Sequence, residues 1–220
     1  VVHGGGPRIK RELEKSKIES KFIRGLRVTD EKIINIVEKV LIDFNNDIVN
    51  SLNQKGSKAI SIHTKNNNII EVVPETEELG FVGIPNNINN SFLIEIIKKN
   101  IIPIISPLGL DKNNQTYNIN GDTAAGAVAK SLKSRRLLLM TNVEGVLDKE
   151  KKLIEEISSS EILKMIKNET ITEGMIPKIN TCLDAVNNGV TAVGIIDGRK
   201  KHSLLFEIFS DKGSGTLIRQ

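Results

Sequence analysis

Strand-sized apolar runs alternate with segments of helical periodicity along most of this chain, and that alternation admits few folds. Residues 101–105, 137–140 and 190–196 are short runs rich in isoleucine, leucine and valine, the make-up of strands buried on both faces. Between such runs lie amphipathic stretches. Val28-Thr29-Asp30 reads as the cap of a long helix in which Ile33, Val37, Leu41, Phe44 and Ile48 recur at helical spacing. A second helix is predicted from a cap at Ser91, an Ala-rich one over 123–132, and another over 203–209. Ser158 and Glu161 make a capping box for a helix to Ile166, and 175–188 is helical with Pro177 near its first turn. Strands joined by helices imply βαβ units and a largely parallel sheet, closed by a last strand at 216–218. Residues 59–62, 69–73 and 81–84 are β-rich, and the turns between them predict hairpins rather than crossovers. The asparagine clusters at 66–68, 86–90 and 113–114 read as loops. A soft division near Ser134 separates the hairpin-containing part, 1–134, from a second βα part, 135–220.

Composition removes several classes. The 220 residues are 39% hydrophobic and 26% charged, too apolar and too balanced in charge for a disordered chain. No apolar run approaches the roughly 20 residues of a membrane-spanning helix, and Pro103 breaks the longest. A single cysteine, Cys182, cannot form an intramolecular disulfide, which points to a reducing compartment such as the cytoplasm. The net charge is +4, the aromatic content 3%, and tryptophan is absent, a poor basis for nucleic-acid binding. The opening Val1-Val2-His3 reads as the end of a buried strand running into a glycine turn, without an initiator methionine or targeting segment. Further strand residues of the same sheet are therefore expected upstream.

Five places can carry chemistry. Gly4-Gly5-Gly6-Pro7 leads from a strand into a helix, a setting where backbone N–H groups and the helix dipole face an anion. It lacks the G-x-G-x-x-G spacing of a dinucleotide site, and no Walker loop occurs anywhere. An oxyanion hole of esterase type would need a G-x-S-x-G elbow, which is also absent. An anion site or a plain structural turn remains. Arg27, after Gly25 and just before a helix cap, suits bidentate contact with a carboxylate or phosphate, or is simply solvated. In Tyr117-Asn118-Ile119-Asn120-Gly121-Asp122, alternation places Asn118, Asn120 and Asp122 on one side of an extended segment. Asp122 either caps the helix that follows or orients cationic side chains. Lys178 lies in a first helical turn, a place tolerated when the lysine serves an anion, or it is an exposed surface lysine. Residues 141–148 follow a core strand, where ligands of open sheets collect, or form an ordinary connection.

Taken in order, V-H-G-G-G-P, G-L-R-V-T, L-G-F-V-G, Y-N-I-N-G-D-x-A-A, L-L-x-T-N-V-x-G-V, T-E-G-M-I-P-K and I-I-D-G-R-x-x-H-S-L-L-x-E-I-F are distinctive. The chain resembles the acetylglutamate kinases of the amino acid kinase family over essentially its whole length. The resemblance implies an α/β fold, a three-layer αβα sandwich with an open, mainly parallel eight-stranded sheet whose first strand would precede Val1. It implies an N-terminal lobe, 1–134, for N-acetyl-L-glutamate and dimerisation, and a C-terminal lobe, 135–220, for ATP with its Mg²⁺. The implied reaction transfers the γ-phosphoryl group of ATP to the side-chain carboxylate, a step of arginine biosynthesis. By motif match Gly5, Gly6, Arg27 and Asn118 would bind the substrate. Asn142, Val143, Glu144, Gly145, Val146 and Leu147, with Thr170, Ile171 and Thr172, would border the nucleotide. Lys178 would stabilise the transferring group and Asp122 would hold lysines in place.

The family's other catalytic lysine, in a K-x-G-G setting, would also precede Val1. Asn142 stands where the family's nucleotide motif usually has Asp. Lys212 stands where arginine-inhibited members carry an acidic residue, and a cation there repels a guanidinium, although His202 fits the sensitive type. Arginine as feedback inhibitor, a PII-type regulator and a homo-oligomer, dimer or hexamer, are implied partners, with the plastid stroma as the alternative compartment. The alternative function is a non-catalytic arginine- or nucleotide-sensing subunit of the same fold.

Overall fold

The computed structural model describes residues 1–171, 175–210 and 213–220, in two units, Val1–Val128 and Ala129–Gln220. The first unit begins with the glycine turn. Gly5 caps α1 (Gly6–Lys15), and Pro7 occupies the first turn, where its missing N–H is not needed. A small hairpin follows, β1 (Phe22–Ile23) paired antiparallel with β2 (Leu26–Arg27). Arg24 and Gly25 turn it, at φ 49° and 80°. Asp30 then caps α2 (Glu31–Gln54) by accepting from the Ile33 amide at 2.8 Å, as expected. Ile33, Val37 and Leu41 are buried at the anticipated spacing, packed against Ile9 and Leu13 of α1. Burying an aliphatic side chain of this size contributes about 1.5–3 kcal/mol, enough to fix the α1–α2 pair. Phe44 and Ile48, further along the stripe, are only half-buried.

Six strands and two α-helices follow in this unit: β3 (Ala59–Ile62), β4 (Ile70–Pro74), β5 (Gly83–Ile88), α3 (Asn90–Lys98), β6 (Ile102–Ile105), β7 (Leu108–Leu110), β8 (Thr116–Asn118) and α4 (Gly121–Ser131), which runs past Val128. The expected hairpin exists between β4 and β5. The expected hairpin of β3 does not: β3 pairs in parallel with β6, from Ala59↔Ile102 to Ile62↔Ile105. A short apolar run carries no mark of its partner, and burial of Ala59 and Ile62 is met by a buried parallel neighbour. Val2 bridges Ile105 in parallel, so the chain's opening residues extend the same sheet. The other sheet has the order β5-β4-β7-β8, and Asn86 and Asn87, expected in a loop, belong to its edge strand β5. Helix α3 is capped by Asn89 rather than Ser91, and α4 by Asn120, whose Oδ1 accepts from the Asp122 and Thr123 amides. Several residues here can cap, and strand ends decide which one does.

The second unit carries β9 (Arg136–Thr141), β10 (Glu156–Ser158), α5 (Ser159–Lys167), α6 (Ile176–Asn187), β11 (Ala192–Asp197), α7 (Ser203–Phe209) and β12 (Gly215–Arg219). The capping box at Ser158 and Glu161 is formed on α5. Strand order is β10-β12-β11-β9, with β11 parallel to β9 and antiparallel to β12. Every residue of β11 is buried, which requires cover on both faces; α6 and α7 both pack on it, giving the layered αβα arrangement. β11 ends at Asp197, which takes two 2.9 Å bonds from the Arg199 guanidinium. Those bonds hold its carboxyl at about 2.

Candidate functional site

In the first unit the glycine turn, the β1–β2 hairpin and the segment after β8 enclose a cavity of about 200 Å³. Gly5, Gly6, Arg27 and Asn118, four residues far apart in sequence, all line it, with Asn120 and Gly121 beside them. A Cβ at Gly5 would lie 2.4 Å from the end of the Leu41 side chain, so the glycine lets that buried leucine pack against the turn. No side chain caps α1, so its first-turn amides stay available to a ligand.

Among the described residues Arg27 is the one charged residue lining this cavity, and it is buried at 9% exposure. Burial lowers its pKa, yet a guanidinium keeps its proton at neutral pH. It hydrogen-bonds Ser20 Oγ and stacks 4.7 Å above the Phe22 ring. Among the described residues no carboxylate lies within ion-pair distance of it. A buried cation so placed suits contact with an anion. Its backbone is held by Thr29, fully buried, whose hydroxyl donates to Arg27 O at 2.8 Å and receives Asn118 Nδ2 at 3.5 Å.

Behind the turn, His3 Nδ1 lies 2.8 Å from Gly4 O, and Asn45 Nδ2 donates to His3 Nε2 at 3.1 Å and to Ile104 O at 2.9 Å. The carbonyl beside Nδ1 requires the proton there, so His3 is the neutral Nδ1–H tautomer. Burial, foremost, pushes its pKa below the ordinary histidine range.

The second unit has a cavity of about 510 Å³ lined by Val143, Glu144, Gly145, Val146 and Leu147 from one side and Asn168, Glu169, Thr170, Ile171 and Met175 from the other. Lys149 and Lys151 stand at its wall. The volume lies within the range of small-molecule sites, and the lining mixes apolar side chains with the acidic Glu144, Asp148 and Glu169 and the two lysines.

Residues 1–197 match the amino acid kinase family. The chain belongs to that family. It is 61% identical over 220 residues to an acetylglutamate kinase of Pelagibacter ubique, covering all of this chain and 76% of that protein. It is 45% identical over 234 residues to an acetylglutamate kinase of Methylobacterium nodulans, again over the whole chain and 77% of that protein. The crystal structure of smu.665 from Streptococcus mutans UA159 matches with a TM-score of 0.86 at 34% identity, over 99% of this chain and 84% of that one. The α/β fold is that of the amino acid kinases.

Of the residues that family resemblance singled out, the structure brings together the four of the first cavity and seven of the second: Val143 to Leu147, Thr170 and Ile171. Asn142 is exposed, one residue outside the second wall, and Thr172 lies outside the described residues. Lys178 is the third residue of α6 and half-buried; Asp122 sits in the first turn of α4, also half-buried. Asp122 is not the cap of its helix, since Asn120 fills that place, and Asn120 and Asp122 have left the extended segment in which they were expected to alternate. Lys212 lies outside the described residues. The sequence reading missed Asn45, Thr216, Phe22 and Ser20. Asn45 had a signal: with Glu38 it interrupts the apolar stripe of α2 at buried positions, which is where a polar residue with a fixed partner stands out.

Proposed function

We propose that the protein is an acetylglutamate kinase, transferring the γ-phosphoryl group of ATP to the side-chain carboxylate of N-acetyl-L-glutamate and releasing ADP and N-acetyl-L-glutamyl phosphate in arginine biosynthesis. The observation that carries the reading is the Arg27 guanidinium: buried, without a carboxylate partner among the described residues, and lining a cavity shared with the glycine turn and Asn118. A small dicarboxylate suits it. Arg27 holds the α-carboxylate, Asn118 the other polar groups of the substrate, and the amides at Gly5 and Gly6 the reacting end. The unit Val1–Val128 binds the acceptor and the unit Ala129–Gln220 the nucleotide, in the cavity walled by Val143 to Leu147, Thr170 and Ile171, with Asn142 and Thr172 at its border.

The chemistry asks little of a base. The attacking carboxylate is already ionised at neutral pH. Phosphoryl transfer through a loose transition state depends on alignment and on compensating positive charge. Lys178 supplies that charge on the leaving side, backbone amides of the glycine turn supply donors, and Asp122 positions lysines. The Mg²⁺ carried by the nucleotide would supply neutralising charge to the phosphates. The protein works in the cytoplasm as a homo-oligomer, a reading favoured by the exposed Ile94 and Ile97 on α3. Arginine and a PII-type protein are its regulators.

The test is product formation by the complete protein. ADP release should require both N-acetylglutamate and Mg²⁺, and hydroxylamine should trap the acyl phosphate. Faster turnover of carbamate or free glutamate would move the chain elsewhere in the family.

A further inference from the structure

The wall formed by Val143 to Leu147 follows the end of β9 and has no regular structure of its own. Something must hold it. The Val146 amide donates to Thr216 Oγ1 at 2.8 Å, the Thr216 hydroxyl donates to Ile154 O at 2.6 Å, and the Ile154 amide donates to Val146 O at 2.9 Å. These three bonds close a ring in which the threonine hydroxyl is the only side-chain member. Thr216 is 1% exposed and stands opposite Ile195 of β11, the fully buried strand of the second unit. The wall is thereby tied to a strand that pairs with the fully buried β11.

Gly145 is fitted to that hydroxyl. Its φ is 150°, and a Cβ there would lie 2.5 Å from Thr216 Oγ1 and 2.7 Å from Leu153 Cδ1. The close approach needs a glycine. Beyond the ring, residues 147–153 fold back as a small antiparallel turn, with Leu147 bridging Leu153 and the Lys152 amide bound to Asp148 Oδ1. The ring is the base of that turn, and Lys149 and Lys151 at its tip are cavity residues.

We propose that Thr216 is a positioning residue for the nucleotide: its hydroxyl sets where the 143–147 wall stands, and the methyl group adds nothing to that task. The inference rests on reading the 510 Å³ cavity as the nucleotide site. A valine keeps the shape of the side chain but leaves the Val146 N–H and the Ile154 carbonyl without their partner, so the wall shifts to reach water.

Calorimetric titration of the complete protein with MgATP, beside steady-state kinetics in both substrates, tests this. Thr216→Val should weaken MgATP binding and raise its KM roughly tenfold, with the KM for N-acetylglutamate within about twofold of the original. Thr216→Ser should restore MgATP binding to within about threefold. Unchanged MgATP binding by Thr216→Val, equal loss of both substrates, or a serine variant as impaired as the valine one would each overturn the proposal. If Thr216→Val does not fold, Gly145→Ala, which keeps the hydroxyl but displaces it, should show the same selective loss; its failure to do so overturns the proposal too. Leu147→Trp separates the two readings. If it abolishes MgATP binding while Thr216→Val does not, only the role of Thr216 falls. If it leaves MgATP binding unchanged, the nucleotide assignment of the cavity falls, and this proposal with it.

Discussion

Asn45 Nδ2 lies 3.1 Å from His3 Nε2, a side-chain bond spanning 42 residues between α2 and the glycine turn. Asn45 is wholly buried and uses both ends of its amide: Nδ2 also reaches Ile104 O, and Oδ1 accepts from the Ser61 hydroxyl at 2.5 Å. One side chain thus ties α2, β3, β6 and the turn that bears Gly5 and Gly6. Turning the amide over would place its oxygen against the Ile104 carbonyl, so the acceptor state of Nε2 is enforced.

Asn45→Ala should be severely destabilising. It strands His3 Nε2 in a buried site, a cost of about 1–3 kcal/mol, and takes away the acceptor of the Ser61 hydroxyl and a second donor to Ile104 O. We expect a loss of about 3 kcal/mol in urea unfolding of the complete protein, together with a raised KM for N-acetylglutamate. A loss below about 1 kcal/mol would show that water replaces these bonds.

The pH dependence of stability follows from the same histidine. Burial lowers the pKa of His3, and of His63, below 6.5 in the folded state. In the unfolded chain both titrate near their ordinary value, so below about pH 6.5 the unfolded state binds more protons. Stability is therefore full above that pH and declines as the solution is acidified toward pH 5. Replacing His3 with Gln should flatten the decline measured by denaturant unfolding at a series of pH values. An unaltered slope would assign the effect to His63 or to other groups.

Arg27→Lys preserves charge but not the planar fork or its stacking on Phe22. The KM for N-acetylglutamate should rise roughly tenfold to a hundredfold, because a charged bidentate bond contributes about 1.5–3 kcal/mol, while the KM for ATP stays within about twofold. Steady-state kinetics in each substrate decides. A joint rise in both constants would point to a disturbed fold instead.

Lys178→Ala should lower kcat at least about a hundredfold with ATP affinity nearly unchanged, the signature of a group acting on the transition state. Single-turnover rates and equilibrium ATP binding measure the two quantities separately. Normal turnover would remove Lys178 from the mechanism.

Features legible in the amino-acid order are local, or lie in sequence along the chain. The Asp30 cap, the Ser158–Glu161 box, the helix at Ser203–Phe209 and the proline in the first turn of α6 depend on residues within a turn of one another. The ordered motifs carried the family, because a ligand site built from strand ends imposes residue types at each end. Pairing through space follows from the fold. The parallel partner of β3, the choice of Asn120 over Asp122 as cap, the bond between Asn45 and His3, and the ring through Thr216 each join segments or settle between equal local candidates. A buried polar group is satisfied only by the atom that the fold places within about 3 Å of it, and no periodicity in the chain encodes that distance.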